Sequence, residues 1–525
     1  MPEKPCYFSQ DLVMVLVFMR RSVGTGCQMK NKKLIQIFFA CLLIGFAILA
    51  CNQNSNVANP SAKVTAVIVP EEALGVPAKA GSSGLGDSLY PGFGNGGYDV
   101  THYKLDIKVK DVSTSYLTAS TTIEANATQD LLSFNLDFIG FAIEKITVNG
   151  ESADYSRKGQ ELTVMPLKPL MKGRSFMVVV QYNGSPQEMQ SVALPVQTGW
   201  VIVDGGSYVM SEPDGSANFY PVNDHPLDKA TYTFRVTVPD PLEVSTNGVL
   251  IETLDNGDTT TFTFEARDPM ASYLATINID EFDIETMQSG NGIPIRNYYS
   301  TGLSADVRKP FARQGEMLDY FSEIFGQYPF EVYGSMLMDT DFGSALENQT
   351  MSIYGIDMID LEDVEGTELT VAHELSHQWF GDSVSVADWS DIWLNEGFAT
   401  YSEGLWIDHL QGREALDEWV RSQYSDAVES SYPPPGNPPA DDLFNGGVYV
   451  RGGLTLHALR LEVGDEAFFK ILPDYFKRYK DGNAATDDFI AMAEEVSGKE
   501  LTDFFDSWLY SEQIPPIPAM GLGVE

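Results

Sequence analysis

Basic residues and cysteines are both scarce in this 525-residue chain, and each shortage excludes a class of function. Lysine and arginine total 33 against 74 aspartates and glutamates, which gives a net charge of −41. Such a deficit of positive charge argues against a nucleic-acid partner. All four cysteines lie within the first 51 positions. A metal site in the rest of the chain must therefore use nitrogen and oxygen ligands.

The N-terminal sequence, residues 1–50, has the pattern of an export signal. Three lysines (Lys30, Lys32 and Lys33) precede an apolar run over 34–50. A basic start, an apolar centre and small residues at its end are typical of a secretory signal. The run also reaches the lower length limit for a membrane-spanning helix, so a retained anchor is the alternative. Its end, "ILAC", resembles a bacterial lipoprotein signal, and this resemblance implies a lipid on Cys51.

The composition after this signal predicts three further segments. Residues 51–95 are rich in Asn, Ser, Ala, Pro and Gly, which predicts a flexible tether. Over 96–287, short runs of alternating apolar and β-branched residues are separated by turn signals. This pattern predicts a β-rich, sandwich-like domain. Residues 288–525 change to helical spacing after a few strands, so we expect an α+β multidomain protein whose second domain is itself α+β.

The elements of the second domain follow from the same patterns. Ser304 is a plausible N-cap for a helix that follows it. The remaining predictions are strands at 292–300, 332–339 and 346–354, and helices at 367–381, 389–410, 413–430, 450–462, 465–479, 486–497 and 500–510.

A candidate metal site lies in "AHELSHQWFGDSVSVADWSDIWLNEGF", from residue 372. His373 and His377 are four residues apart on a predicted helix, so their rings lie about 40° apart on one face. Imidazole suits zinc, and a catalytic zinc site takes three protein ligands and keeps one position for water. Glu396, on the next predicted helix, can supply the third ligand. Glu374 would then lie beside the water as a general base.

The same stretch resembles the aminopeptidase N type of zinc metallopeptidase, a group that includes leukotriene hydrolase. The signature of that family is H-E-x-x-H, eighteen residues and E, and here 378–395 are the eighteen. "YDVTHYKLDIKV", "FYPVNDHPLDKATYTFRV" and "ELTDFFDSWLYSEQIPPIP" resemble other segments of the family. The resemblance implies a thermolysin-like catalytic domain after a β domain, in a short form without the C-terminal helical domain of longer members.

The resemblance also implies roles for residues outside the metal site. "SALEN" at 344–348 occupies the place of the strand whose glutamate binds the substrate's amino group, which is here Glu347. Glu212 in "MSEPDG" is expected to join it, and Tyr449 in "YVRG" to stabilise the transition state. Substrate contacts are expected from three more residues of the strand, namely Ser344, Ala345 and Asn348.

Together these residues imply a zinc-dependent aminopeptidase with one zinc ion, which hydrolyses the first peptide bond of peptides with a free α-amino group. We expect it to be exported, extracytoplasmic and anchored in a membrane. The alternatives are a zinc endopeptidase of the thermolysin type and an inactive surface binding protein. The four other histidines have no partner visible in the sequence and are interpreted as packing or surface residues: His102, His225, His409 and His457.

Overall fold

The computed structural model describes residues 78–524. Strands dominate the first part of this range and helices the second, as the sequence predicts. The predicted export signal and the predicted lipidation site, Cys51, lie outside the described residues. None of the helices within 78–524 is long and apolar enough to cross a membrane.

The first part of the chain builds three sheets. Their strands are β1 (Lys79–Ala80), β2 (Tyr98–Asp111), β3 (Tyr116–Ala127), β4 (Leu131–Asp137), β5 (Ala142–Val148), β6 (Glu151–Ser152), β7 (Asp154–Lys158), β8 (Glu161–Met165), β9 (Ser175–Gly184), β10 (Met189–Gln190), β11 (Gln197–Val203), β12 (Gly206–Met210), β13 (Ala230–Pro239), β14 (Glu243–Thr246), β15 (Val249–Asp255), β16 (Thr259–Met270) and β17 (Ile277–Asp280). The largest sheet has eight strands in the order β15-β16-β13-β2-β3-β9-β5-β6. The other two are a five-stranded sheet, β10-β11-β12-β17-β14, and a four-stranded sheet, β1-β4-β8-β7.

Alternating hydrophobicity explains why these segments are strands. In β2, Leu105 and Ile107 are buried, while Lys104 and Lys108 on either side of this pair are exposed. Successive side chains of a strand point to opposite faces, so this alternation places one face on the core and the other in solvent. The prediction of a β-rich domain is confirmed.

The second part begins with a mixed sheet in the order β18-β19-β20-β22-β21 and continues into helices. Its strands are β18 (Phe282–Gln288), β19 (Pro294–Ser300), β20 (Tyr333–Met338), β21 (Ala345–Leu346), β22 (Ser352–Gly355), β23 (Val384–Val386) and β24 (Gly482–Ala484). The helices are α1 (Gln314–Phe325), α2 (Val364–Ser376), α3 (Trp393–Gln411), α4 (Arg413–Ser430), α5 (Gly452–Val463), α6 (Asp465–Tyr479), α7 (Thr486–Ser497) and α8 (Thr502–Leu509). The α+β architecture of this part is confirmed.

The boundary expected between 287 and 288 falls in the wrong place. Strand β18 pairs along its whole length with β19, from Phe282↔Ser300 to Gln288↔Pro294. β18 is therefore one edge strand of the mixed sheet, and the second domain begins at about residue 282. The turn between β18 and β19 is short, like the turns within the β domain. Composition alone therefore places the domain boundary a few residues too late.

The predicted tether ends earlier than residue 95. Residues 78–95 pack on the folded body: β1 pairs with β4, and the Tyr90 hydroxyl donates to the carbonyl of Ala440 at 2.5 Å. The buried Asp87 carboxylate accepts from Nε2 of His225 at 3.2 Å and from the backbone N–H of Trp389 at 2.8 Å. Close packing accounts for glycine in this segment, since a Cβ on Gly81 would lie 2.6 Å from the carbonyl oxygen of Gly96.

Two predicted elements are interrupted. The expected strand at 346–354 breaks into β21 and β22, because the intervening Thr350 has a φ of 66°. The expected helix after Ser304 is a 3₁₀ segment, Ala305–Phe311, followed by α1, and Pro310 lies inside the 3₁₀ segment. Ser304 caps this segment as predicted, since its side chain accepts from the N–H of Asp306.

Replacing Asp87 with alanine is expected to lower the thermal unfolding midpoint of the whole protein. The change leaves the Trp389 N–H and a buried histidine ring without their acceptor, which costs about 2–4 kcal/mol. The control is Ser83→Ala, at an exposed position of the same segment. Equal midpoints for the two variants would show that residues 78–95 are a tether after all.

Candidate metal centre

Two helices bring three metal-binding side chains to one point. His373 and His377 lie at the end of α2, and Glu396 lies in the first turn of α3. Oε2 of Glu396 is 3.3 Å from Nε2 of His373 and 3.5 Å from Nε2 of His377. All three residues are buried. The structure therefore assembles the donor set that the sequence predicts.

The spacing of these donors fits a zinc ion. Two ligands about 2.0–2.1 Å from a tetrahedral zinc lie about 3.4 Å from each other. The two measured separations, 3.3 and 3.5 Å, agree with this value. Two imidazoles and one carboxylate are also a ligand set of catalytic zinc, which keeps a fourth position open.

The outer nitrogen of each ring has a protein acceptor. Nδ1 of His373 lies 2.8 Å from Oε1 of Glu403, and Nδ1 of His377 lies 3.1 Å from the carbonyl of Phe380. A carbonyl can only accept, so Nδ1 of His377 carries the proton and Nε2 offers its lone pair. Such second partners fix the tautomer and orientation of metal-binding histidines.

Glu403 is a functional residue that the sequence analysis missed. It follows Glu396 by seven residues on the same helix, which is two turns and therefore the same face. That periodicity is the signal that could have found it. Without the position of α2, however, nothing in the sequence distinguishes Glu403 from a solvated helix glutamate.

Three further carboxylates border the donor set. Single oxygens of Glu347 and Glu374 lie within 4.8 Å of each other and of a ring nitrogen of His377. Glu212 and Glu347 form a second such group with Glu396. Oε1 of Glu212 and Oε1 of Glu347 are buried and, within residues 78–524, have no hydrogen-bond partner. The structure thus brings Glu374, Glu347 and Glu212 together, as the sequence predicts.

Burial dominates the electrostatics of this cluster. Burial raises the pKa of Glu374, and burial together with the neighbouring Glu347 raises the pKa of Glu212. Burial alone would also raise the pKa of Glu396, but the two histidines outweigh it and lower the pKa to about 2. Buried carboxylates this close repel one another, so the site favours cations.

Gln378 fixes the position of Glu347 relative to the metal helix. Its side-chain Nε2 donates to the carbonyl of Glu347 at 3.0 Å, and its Oε1 accepts from the N–H of Thr350 at 2.8 Å. Gln378 directly follows His377, so one amide side chain links the Glu347 turn to a donor of the metal site. These bonds also explain the interruption between β21 and β22, because they use backbone groups that a continuous strand would pair.

The β domain holds both sides of this arrangement. The Lys229 ammonium donates to the carbonyls of Asp382 and Ser383 at 2.8 and 2.9 Å, just after the His377 turn. The Asn247 side chain donates to the carbonyl of Gln349 at 2.8 Å. Lys229 is half-buried, and its desolvation lowers its pKa to about 7. Contacts from the β domain therefore position the residues around the donor set.

Tyr449 faces the donor set from a third element. It lies in a π-helical turn, Gly447–Arg451, that leads into α5, and its ring stacks on that of His373 with centroids 5.9 Å apart. Helices α3 and α5 approach so closely at Gly397 and Gly452 that a Cβ on Gly397 would lie 2.9 Å from the carbonyl carbon of Gly452. Burial raises the pKa of Tyr449 well above its usual range, so its hydroxyl stays protonated.

The strand residues expected to contact substrate have different surroundings. Ala345 lies in β21, the other edge strand of the mixed sheet, and Ser344 precedes it with its hydroxyl 3.3 Å from Sδ of Met210. Asn348 is fully buried, and its side chain donates to the carbonyl of Leu274 at 3.0 Å. The Asn348 amide nitrogen therefore bonds to the β domain. Within residues 78–524, no further strand pairs with β21 at 345–346.

The remaining histidines lie outside these groups of donors. His225 and His457 are fully buried, and His457 contacts the Tyr401 hydroxyl through Nδ1 at 3.1 Å. His102 is half-buried beside Thr231, and His409 is exposed beside Glu316. All four positions agree with the interpretation of these histidines as packing or surface residues.

Comparison with known proteins identifies the family. The family model "Peptidase M1 N-terminal domain" matches residues 100–274, and "Peptidase family M1 domain" matches 310–508. An M1 zinc metallopeptidase of Deinococcus radiodurans, solved as a mutant bound to a Tyr-Ser-Ala substrate, superposes with a TM-score of 0.76. The two are 32% identical, and the match covers 83% of this chain and 99% of that chain. The chain belongs to peptidase family M1.

Curated M1 relatives extend the comparison. Aminopeptidase N of Streptomyces lividans is 27% identical over 403 residues, and glutamyl aminopeptidase of Sus scrofa is 30% identical over 324. These matches cover 71% and 57% of this chain but only 46% and 34% of the relatives. The chain thus spans less than half the length of the curated relatives it matches. The expected likeness to an aminopeptidase N-type zinc metallopeptidase is confirmed.

Replacing Glu403 with alanine is expected to weaken zinc binding by about 10–100-fold, because the His373 ring loses the partner that orients it. Competition with a chromogenic chelator measures the affinity. Glu418→Ala, a substitution on the neighbouring helix α4, is the matched control. Unchanged zinc affinity in Glu403→Ala would rule out the orienting role.

Proposed function

We propose that this M1 protein is a zinc aminopeptidase that hydrolyses the first peptide bond of peptides with a free α-amino group. His373, His377 and Glu396 hold one zinc ion. Glu374 is the general base, and Glu347 and Glu212 bind the substrate's ammonium group. The named relatives support this proposal, since they include aminopeptidase N, glutamyl aminopeptidase and a zinc metallopeptidase with a bound tripeptide.

The observation that carries the proposal is the position of two unpartnered carboxylates beside the donor set. Oxygens of Glu212, Glu347 and Glu396 lie within 4.8 Å of one another, and Glu396 also belongs to the metal-binding group. In a peptide, the terminal nitrogen and the first carbonyl carbon are two bonds apart, about 2.5 Å. An ammonium group held by these carboxylates therefore places only the first peptide bond at the metal centre.

The charges of the site supply the selectivity. A buried carboxylate without a partner is costly, and an ammonium group satisfies it with charge-assisted hydrogen bonds. An acetylated N-terminus offers a single neutral N–H and no charge. The endopeptidase alternative is not favoured, because it leaves the burial of Glu212 and Glu347 without a purpose.

The chain's own residues account for the proton transfers. When bound, the zinc ion supplies Lewis-acid polarisation of the scissile carbonyl and of the attacking water. Glu374 accepts a proton from this water and delivers it to the leaving amine. The Tyr449 hydroxyl donates a hydrogen bond to the carbonyl oxygen as negative charge develops on it.

The N-terminal sequence supports a proposed location. We propose that the protein is exported and attached to a membrane through a lipid on Cys51, which lies outside the described residues. The support is the basic and apolar pattern before this cysteine. Cys51→Ser is expected to abolish incorporation of radiolabelled fatty acid into the protein. Labelling that persists in the variant would contradict lipidation at Cys51.

Aminoacyl-anilide hydrolysis tests the proposed activity. The purified protein is expected to release the anilide from unblocked substrates, to lose this activity with a chelator and to regain it with zinc. Acetylated anilides are expected to be resistant. Cleavage of blocked peptides at internal bonds would favour the endopeptidase, and inactivity of the zinc-loaded protein would favour a binding protein.

Two isosteric substitutions separate the base from the ammonium site. Glu374→Gln is expected to lower kcat by about 10²–10⁴-fold with unchanged zinc content, because only the proton acceptor is lost. Glu347→Gln is expected to lower kcat/KM for free-amino substrates by about 10–100-fold, as loss of a charge-assisted hydrogen bond predicts. Unchanged kcat/KM of Glu347→Gln for free-amino substrates would contradict its role.

A further inference from the structure

A loop of the β domain stands out against the acidity of the whole chain. Residues 165–174, "MPLKPLMKGR", connect β8 to β9. They include Lys168, Lys172 and Arg174 and no acidic residue, in a chain with 33 basic and 74 acidic residues. We call this segment, together with Leu132 beside it, the β4 patch.

The β4 patch also exposes large apolar side chains. Leu167 is 73% exposed and Leu132 is 53% exposed, while Met165 and Met171 are each 39% exposed. Leu167 has the largest exposed fraction among the exposed large hydrophobic residues of the described chain. Apolar side chains at the tip of a basic surface are the combination that inserts into the headgroup region of an anionic membrane.

Backbone hydrogen bonds make the patch continuous. The N–H of Leu131 donates to the carbonyl of Leu170 at 2.8 Å, and the N–H of Leu170 donates to the carbonyl of Leu131 at 2.9 Å. These two bonds attach the loop to the start of β4. The N–H of Lys172 donates to Oδ1 of Asp130 at 2.8 Å. Leu132 and Met171, which follow the two paired leucines, therefore belong to the same surface.

The preceding chain joins the folded body at this same place. Lys79 pairs with Leu131 in the parallel β1–β4 ladder, and its N–H donates to the carbonyl of Asp130 at 3.0 Å. Cys51 precedes Ala78 by 26 intervening residues, 52–77. Such a stretch spans at most about 90 Å when fully extended. The proposed lipid therefore confines the β4 patch to the neighbourhood of the membrane, where even weak docking is effective.

Two other exposed leucines lie in acidic surroundings. Leu361 is 45% exposed and lies between Asp360 and Glu362. Leu254 is 44% exposed and precedes Asp255. An anionic membrane repels such surfaces, so charge distinguishes the β4 patch from them.

We propose that the β4 patch docks the protein on an anionic lipid bilayer. Leu167 and Met171 enter the headgroup region, and Lys168, Lys172 and Arg174 face the lipid phosphates. Lys168 pairs with Glu151 at 2.9 Å, but both side chains are exposed and a phosphate can replace this weak partner. The inference rests on the membrane attachment proposed above and adds the orientation of the enzyme.

Site-specific fluorescence tests the docking in the full-length, lipidated protein. Leu167→Cys and the matched control Leu361→Cys each provide a label site in a region that is free of natural cysteines. Both labelled proteins are reconstituted in phosphatidylcholine vesicles that contain phosphatidylglycerol and a nitroxide-headgroup lipid. Quenching is expected at position 167 and not at position 361. Equal quenching at the two positions would overturn the proposal.

Charge variants test the lipid class. Lys168→Gln with Lys172→Gln is expected to lower the ratio of docked to undocked protein by about 30-fold, because each basic residue near an anionic surface contributes about a factor of five. Vesicles of phosphatidylcholine alone are expected to abolish quenching at 167, and hydrolysis of a soluble aminoacyl-anilide is expected to stay unchanged. Undiminished quenching on either test would overturn the proposal.

A flotation assay distinguishes failure of docking from failure of anchoring. Protein that floats with the vesicles but shows no preference for position 167 is anchored without docking, which contradicts the inference alone. Protein that does not float is not attached at all, which contradicts the proposed membrane attachment and the inference with it.

Discussion

The structure depends on a concentration of negative charge in a largely buried site. Glu212, Glu347, Glu374 and Glu396 are buried side by side, and their mutual repulsion favours the binding of cations. One relief is the metal that the two histidines and Glu396 are arranged to hold, and the other is the ammonium group of a peptide. The buried carboxylates thus provide both the affinity for cations and the specificity for a free amino group. Their burial is unfavourable until the metal ion and the ammonium group are bound.

This arrangement requires two domains, since no single element carries all the charges. The metal donors come from α2 and α3, Glu347 from the turn after β21, and Glu212 from the β domain. Gln378 and Lys229 link these parts through backbone carbonyls, which do not change with the local sequence. The segment at 78–95 crosses both domains as well, through Asp87. The contacts between the two domains therefore keep the four carboxylates close together in spite of their mutual repulsion.

Much of this could be predicted from the sequence, for physical reasons. His373, His377 and Glu374 are fixed relative to one another by helix geometry, so local spacing suffices. Alternating and helical periodicities locate most strands and helices, because they record which side faces the core. Glu396 could be proposed because the next predicted helix follows after a short loop. Tyr449 needed the family resemblance, since its approach to α2 depends on the Gly397–Gly452 contact. Glu403 and Gln378 were missed because their partners are distant in sequence or are backbone atoms. The tether was wrong over 78–95 for the same reason: composition does not record a long-range acceptor such as Asp87.

The central claim is that one zinc ion is held jointly by His373, His377 and Glu396. Anomalous diffraction measured on both sides of the zinc absorption edge, from crystals of the zinc-loaded protein, tests it most directly. The account predicts a single strong anomalous peak within bonding distance of the two Nε2 atoms and the Glu396 carboxylate. A zinc-replete crystal without a peak at that position, or with its zinc bound elsewhere, would contradict it.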